Sequence, residues 1–181
     1  MTDPAVRRVL LVGFMGAGKS SVGRLVAEGL GWDFVDLDTE IERRAEMTIP
    51  EIFGSLGESY FRTIESEAAA DVLSRTGVVV APGGGWAASP GRLESLPPGT
   101  RSVWLSVSAE EAVRRASSQP GQRPLLTGTD VLGAARRLIT ERAPYYRLAD
   151  VEVDTDGLSV EDVSARILDI VSDPAPPEHP E

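Results

Sequence analysis

Gly13-Phe14-Met15-Gly16-Ala17-Gly18-Lys19-Ser20 is the stretch that decides the fold of this 181-residue chain. It matches the pattern G-x-x-x-x-G-K-[ST], in which glycines, a lysine and a serine stand at fixed spacing. Glycines let backbone N–H groups approach a phosphate closely, and the following helix N-terminus adds a positive partial charge. The lysine of such a loop reaches the β- and γ-phosphates of a nucleotide, and its serine hydroxyl binds Mg²⁺. The stretch therefore predicts a phosphate-binding loop, or P-loop, for a nucleotide.

The segments on both sides of this motif supply the context that it needs. Residues 8–13 form a short apolar run, as expected for a buried strand, and Lys19 to Leu30 carries apolar residues at helical spacing before the stop at Gly31. Lys19 is also the only lysine, against seventeen arginines. Because a slim point charge fits the loop where a planar guanidinium does not, this exception supports the motif.

The rest of the chain alternates between strand and helix patterns. Short apolar runs predict four further strands, at residues 33–36, 77–81, 101–107 and 151–153. Helical patterns follow each of them, and the last covers residues 159–171. Because parallel strands need crossover connections, we expect a three-layer α/β fold with a central five-stranded parallel sheet flanked by helices.

Helix ends can also be predicted locally. Thr48-Ile49-Pro50-Glu51 and Ser108-Ala109-Glu110-Glu111 have the pattern of capping boxes. A further helix is expected over residues 130–147, and Pro144 should end or kink it.

Composition and charge restrict the classes of function. Hydrophobic residues make up 41% and charged residues 25%, as in soluble globular proteins, and the length suits one domain. We expect that domain over residues 1–173, with a disordered tail at 174–181 that holds the single histidine, His179. The absence of cysteine excludes disulfides, thiolate zinc sites and a catalytic thiol. A net charge of −10 argues against nucleic-acid and anionic-membrane partners, and the N-terminus lacks a signal-peptide pattern, so we expect a cytoplasmic location.

One segment is basic in this acidic chain. Between Glu110 and Arg147 there are seven arginines and four acidic residues, a net charge of +3. These arginines either face an anionic ligand or form solvated helix surfaces, and the charge pattern alone leaves both open.

Five further features follow the P-loop in a fixed order. They are Asp36-Leu37-Asp38, Phe61-Arg62, Gly83-Gly84-Gly85, Arg123-Pro124-Leu125 and Arg142-Ala143-Pro144-Tyr145-Tyr146. With them, the chain from about Arg8 to Val171 resembles the shikimate kinase family. The resemblance implies a nucleoside-monophosphate-kinase-like P-loop NTPase fold, with a substrate-binding region at about 37–65 and a mobile lid at about 115–128. It also implies ATP-dependent phosphorylation of the shikimate 3-hydroxyl, with Mg²⁺, in aromatic amino acid (chorismate) biosynthesis, by what we expect to be a monomer.

The resemblance implies how the nucleotide would be held. Arg123 would be the lid arginine that closes over the transferring phosphoryl group and offsets its charge. Arg115 would lie near the adenine, and Ser20 and Asp36 would form the Mg²⁺ site. The nucleotide-binding set is then Gly16, Ala17, Gly18, Lys19, Ser20, Ser21, Arg115 and Arg123.

The resemblance also implies a set of residues for the acceptor. Asp38 would orient the reacting hydroxyl or accept its proton, although an aspartate here could instead cap the following helix. Arg62 and Arg142 would hold the carboxylate in bidentate geometry, although Arg62 could instead pair with Glu65 on one helix surface. The N–H groups of Gly83–Gly85 would approach the hydroxyls, or the glycines form a plain turn. The residues with catalytic roles are then Lys19, Asp38 and Arg123.

The walls of the acceptor pocket are less defined. Ile49, Phe53 and Phe61 would line its apolar side by analogy, although core packing explains all three equally well. Three positions depart from the family pattern: Leu37, Pro82 and Trp86. We expect Trp86 to form a pocket wall rather than part of the core, because a glycine-only turn offers little bulk to pack against.

Three other functions remain to be compared. Asp154-Thr155-Asp156-Gly157 fits the D-x-x-G element of a GTPase, but a chain whose one lysine is Lys19 contains no guanine-reading N-K-x-D. A catalytically inactive binding module would be expected to lose charged site residues, and they are present here. A kinase for gluconate or a nucleoside monophosphate is the nearest enzyme alternative.

Overall fold

The computed structural model describes residues 5–118 and 130–172. Arg123, the greater part of the expected lid and the tail with His179 therefore lie outside the described residues. The strands are β1 Arg8–Val12, β2 Asp33–Asp36, β3 Val78–Ala81, β4 Thr100–Ser106 and β5 Val151–Asp154. The helices are α1 Lys19–Leu30, α2 Leu37–Ala45, α3 Ile49–Ser55, α4 Gly57–Ser74, α5 Ala109–Ser117, α6 Val131–Tyr146 and α7 Val160–Ser172.

The five strands form one parallel sheet in the order β2-β3-β1-β4-β5. β1 is central, and its Arg8 pairs with Val78 on one side and Thr100 on the other. Since all strands run the same way, their carboxyl ends meet at one edge of the sheet, where α/β proteins bind ligands. The predicted three-layer α/β fold with a five-stranded parallel sheet is confirmed.

Each face of the sheet buries its own apolar core, because side chains alternate along a strand. Val9 and Leu11 of β1 point to the face covered by α1 and α7, whereas Leu10 and Val12 point to the face covered by α2, α3 and α4. Among the described residues, no helix has both the length and the apolar character needed to cross a membrane.

Three local predictions can be compared with the structure. Pro144 lies inside α6, which continues past it to Tyr146, so of the two predicted effects the proline does not end the helix. Ser108 caps α5 by accepting from the Glu111 N–H at 3.2 Å, but the Glu111 carboxylate binds Arg114 and Arg115 instead of completing a capping box. The box at Thr48 and Glu51 is present in full.

The prediction that Trp86 forms a pocket wall is wrong, because this residue packs in the core and does not line the pocket. Its side chain is 3% exposed and belongs to the apolar cluster on the α2–α4 face of the sheet. The Arg92 guanidinium lies 5.4 Å from the centre of its ring. Leu37, another departure from the family pattern, is also buried, as the first residue of α2.

Candidate active site

The P-loop connects β1 to α1 in a conformation that requires its glycines. Gly16 has φ +79°, and a Cβ there would lie 2.9 Å from the Ala112 carbonyl oxygen of α5. A side chain would therefore be strained and would push α5 away from the loop. The Lys19 ammonium donates to the carbonyl oxygens of Gly13 at 2.9 Å and Phe14 at 3.1 Å, which holds the cation over the loop.

Ser20 and Asp36 form a polar corner beside the P-loop. The Ser20 hydroxyl donates to Asp36 Oδ2 at 2.5 Å, while Asp36 Oδ1 accepts from the backbone N–H groups of Asp38 and Thr39. The helix cap is thus Asp36, and Asp38 is left with its carboxylate available for another role. One carboxylate and one hydroxyl suit Mg²⁺, which takes most of its ligands from water and nucleotide phosphates. Within the described part of the chain, no group of three or more acidic or histidine side chains could hold a metal ion.

Asp38 lies in the first turn of α2 and against the glycine loop after β3. A Cβ at Gly83 would lie 2.9 Å from its Oδ1. Burial, together with the nearby Asp36 carboxylate, raises the pKa of Asp38 to about 6, although the Lys19 cation lowers it. Asp38 is therefore a carboxylate that accepts a proton more readily than usual, close to the P-loop lysine.

Arg62 of α4 takes part in ion pairs along its own helix. Its Nη1 lies 2.9 Å from Glu65 Oε2, and its Nη2 lies 3.3 Å from Glu58 Oε1. Glu65 is only 3% exposed, so this pair extends into the cleft wall rather than lying on an outer surface. The alternative that Arg62 pairs with Glu65 is thus realised in this structure, while Arg62 still lines the cleft.

The glycine loop Gly83–Gly85 follows β3 and lies against the side chains of α6. A Cβ at Gly84 would lie 3.2 Å from Arg142 Nη1 and 3.3 Å from the Gly13 carbonyl oxygen. The acceptor loop, the P-loop and α6 therefore converge at one residue that has little room for a side chain.

Arg115 joins α5 to two loops at the edge of the sheet. Its guanidinium donates to the carbonyl oxygen of Gly16 at 3.2 Å, to Thr155 Oγ1 at 3.2 Å and to the Thr155 carbonyl oxygen at 2.7 Å. Its Nε also donates to Glu111 Oε1 at 2.7 Å. The contact between Arg115 and Thr155 could not be predicted from the sequence. The one signal that places Thr155 near the site is its position in the loop directly after β5.

A single cleft of about 1120 Å³ brings the predicted residues together. The apolar candidates Ile49, Phe53 and Phe61 also line it, and the rings of Phe53 and Phe61 lie 4.7 Å apart. Of the predicted site residues, only Arg123 cannot be placed, because it lies outside the described residues. Those that line the cleft are Gly16, Ala17, Gly18, Lys19, Ser20, Ser21, Asp36, Asp38, Arg62, Gly83, Gly84, Gly85, Arg115 and Arg142.

Comparison with protein families and curated proteins gives one consistent result. The family model for shikimate kinase matches residues 15–172. The shikimate kinase of Moorella thermoacetica is 42% identical over 159 residues, which cover 88% of this chain and 91% of that protein.

Comparison with solved structures agrees with this result. The shikimate kinase from Acinetobacter baumannii in complex with shikimate superposes with a TM-score of 0.84 at 36% identity, over 92% of this chain and 93% of that one. A gluconokinase from Sinorhizobium meliloti 1021 has a TM-score of 0.61 at 19% identity, over 95% of this chain and 94% of that one. At that identity the likeness concerns the fold alone. These neighbours confirm the predicted P-loop kinase type of fold.

Proposed function

Because this chain belongs to the shikimate kinase family, we propose that it transfers the γ-phosphoryl group of ATP to the 3-hydroxyl of shikimate. The products are shikimate 3-phosphate and ADP, in the biosynthesis of aromatic amino acids. The observation that carries the proposal is the cleft, where a P-loop and two arginines suited to a carboxylate open onto the same space. We further propose that the chain acts as a cytoplasmic monomer with a single domain over residues 1–173.

The nucleotide half of the cleft would hold ATP by its phosphates. P-loop N–H groups would surround the β-phosphate, and Lys19 would exchange its contacts with loop carbonyls for the β- and γ-phosphates. Ser20 and Asp36 would hold Mg²⁺, which neutralises phosphate charge when bound. Arg115 would lie near the adenine, and Arg123 would close over the transferring group.

The acceptor half would hold shikimate by its carboxylate and hydroxyls. Arg62 and Arg142 would bind the carboxylate, and the N–H groups of Gly83–Gly85 would contact hydroxyls. The 3-hydroxyl oxygen then bonds to the γ-phosphorus as the bond to the bridging oxygen breaks and ADP leaves. Asp38 would orient that hydroxyl and accept its proton, a role that suits a carboxylate with a pKa of about 6.

A coupled assay of ADP release, with and without shikimate, tests the proposal. We expect ADP release that depends on shikimate and a phosphorylated product visible by ³¹P NMR. Gluconate and nucleoside monophosphates serve as competing acceptors, since the fold alone is shared with kinases of other substrates. Faster turnover with either of them than with shikimate would contradict the proposal.

Lys19→Ala provides the matched loss-of-function control. Removal of its charge should lower kcat by about 10²- to 10³-fold, as for other contacts that stabilise a transition state. The circular dichroism spectrum should stay unchanged, because the ammonium group binds loop carbonyls rather than packing in the core. Near-normal turnover in a correctly folded Lys19→Ala protein would remove the P-loop from the reaction.

A further inference from the structure

Tyr146 lies behind the acceptor half of the cleft. It is 1% exposed, and its ring packs against Trp104 with 6.0 Å between the ring centres. Its hydroxyl donates to the Gly84 carbonyl oxygen at 2.6 Å. The Arg142 guanidinium, one helical turn earlier on α6, lies beside it, since a Cβ built at Gly84 would be 3.2 Å from Arg142 Nη1 and 3.5 Å from the Tyr146 hydroxyl. One buried hydroxyl therefore contacts two elements of the acceptor site.

The bond to Gly84 fixes the orientation of a peptide group. A trans peptide is planar, so the C=O of Gly84 and the N–H of Gly85 point in opposite directions. Because the Gly84 carbonyl points toward Tyr146, the Gly85 N–H points away from Tyr146. The loop has no side chains that could hold this peptide plane.

The space around Gly84 allows the same contact. A Cβ at this residue would lie 3.2 Å from Arg142 Nη1, 3.3 Å from the Gly13 carbonyl oxygen and 3.5 Å from the Tyr146 hydroxyl. The glycine thus allows Arg142 and Tyr146 to approach the loop, but glycine also gives the backbone extra conformational freedom. Two hydrogen bonds restrain this turn: the Trp86 N–H donates to the Gly83 carbonyl oxygen at 3.0 Å, and the Tyr146 hydroxyl donates to the Gly84 carbonyl oxygen.

We propose that Tyr146 is a positioning residue for shikimate, which holds the Gly84–Gly85 peptide and the Arg142 guanidinium in the orientation that binds the acceptor. The inference rests on the proposed function for the identity of the acceptor. Tyr146 does not touch the substrate in this account. Burial raises the pKa of Tyr146, so its hydroxyl stays protonated and able to donate.

Tyr146→Phe and Tyr145→Phe form a matched pair for the test. Each deletes one hydroxyl from neighbouring residues of α6, but Tyr145 has no part in the proposed contact. We expect Tyr146→Phe to raise the KM for shikimate roughly 5- to 150-fold, the range for leaving a buried acceptor unpaired, with little change in the KM for ATP. The ring and its packing on Trp104 remain, so the fold should survive. Should it fail to fold, Tyr146→Met fills the space with a flexible side chain and gives the same comparison.

Hydrogen–deuterium exchange of the ligand-free proteins provides a readout that does not need activity. Tyr146→Phe should increase uptake over residues 82–86 relative to both wild type and Tyr145→Phe. Unchanged uptake there, or an unchanged KM for shikimate, would overturn the inference. If the wild-type protein releases no ADP with shikimate, the proposed function fails instead, and the exchange comparison alone then decides the role of Tyr146.

Discussion

At the scale of single residues, the Asp38 carboxylate should lower the stability of the ligand-free protein. Its pKa is raised from 3.8 to about 6, so the folded state binds the proton more tightly than the unfolded state does. The resulting stabilisation is present below about pH 4 and is lost as the pH rises through 6. Asp38→Asn should therefore raise the free energy of unfolding at pH 8 by up to about 3 kcal/mol, and by less at pH 5. Urea unfolding of metal-free protein at both pH values measures this, and an equal gain at both would contradict it.

The Arg62→Ala and Arg142→Ala variants should differ in stability, although we propose that both side chains bind the carboxylate. Arg62→Ala and Arg142→Ala should each raise the KM for shikimate by roughly 10- to 150-fold, the range for charged hydrogen bonds. Arg62→Ala should also lower the melting temperature, because it removes the arginine that pairs with buried Glu65. The double variant Arg62→Ala/Glu65→Gln should recover stability but not KM. Equal effects on the KM for ATP would show that these arginines serve the nucleotide or the structure.

At the scale of elements, α5 should brace the P-loop through Arg115. The helix contacts Gly16 through both Ala112 and the Arg115 guanidinium. If Arg115 stabilises the P-loop, Arg115→Ala should lower the affinities for ATP and for inorganic tripolyphosphate by a similar factor, roughly 10-fold or more. If Arg115 acts only on adenine, tripolyphosphate binding should be unchanged. Isothermal titration measures both ligands.

The neighbouring Arg114 is the control for this experiment. It also binds Glu111 but is 70% exposed, so Arg114→Ala removes the same charge without disturbing Gly16 or Thr155. An equal loss of tripolyphosphate binding in both variants would mean that charge alone is responsible.

The elements themselves could be predicted because their signals are local. Apolar spacing gave all five strands and the helix after the P-loop, whose bounds at Lys19 and Leu30 are as predicted. The sequence did not predict that Asp36 caps α2. Which aspartate becomes the cap depends on the exact residue at which β2 ends. The contacts of Arg115 with Thr155 and of Tyr146 with Gly84 join residues 40 and 62 positions apart. Local patterns contain no information on such pairs, which only the assembled sheet determines.

At the scale of the whole molecule, Trp86 should contribute to stability and not to acceptor choice. The sequence suggested a pocket wall because the glycines beside it offer no bulk, but the core on the α2–α4 face supplies that bulk. Trp86→Ala should cost about 3–5 kcal/mol of unfolding free energy and leave the KM for shikimate unchanged. Thermal unfolding and steady-state kinetics measure the two quantities. A changed KM for shikimate at an unchanged melting temperature would instead indicate that Trp86 forms part of the pocket wall.

The central position of β1 has a consequence for synthesis of the chain on the ribosome. β1 is made first, yet its Arg8 pairs with Val78 and with Thr100, which is 92 residues later. Because translation adds about 5–20 residues per second, several seconds pass between the synthesis of this apolar strand and that of either neighbour. The nascent chain therefore exposes its buried central strand for longest. The P-loop that follows this strand can take its final shape only when most of the protein has left the exit tunnel.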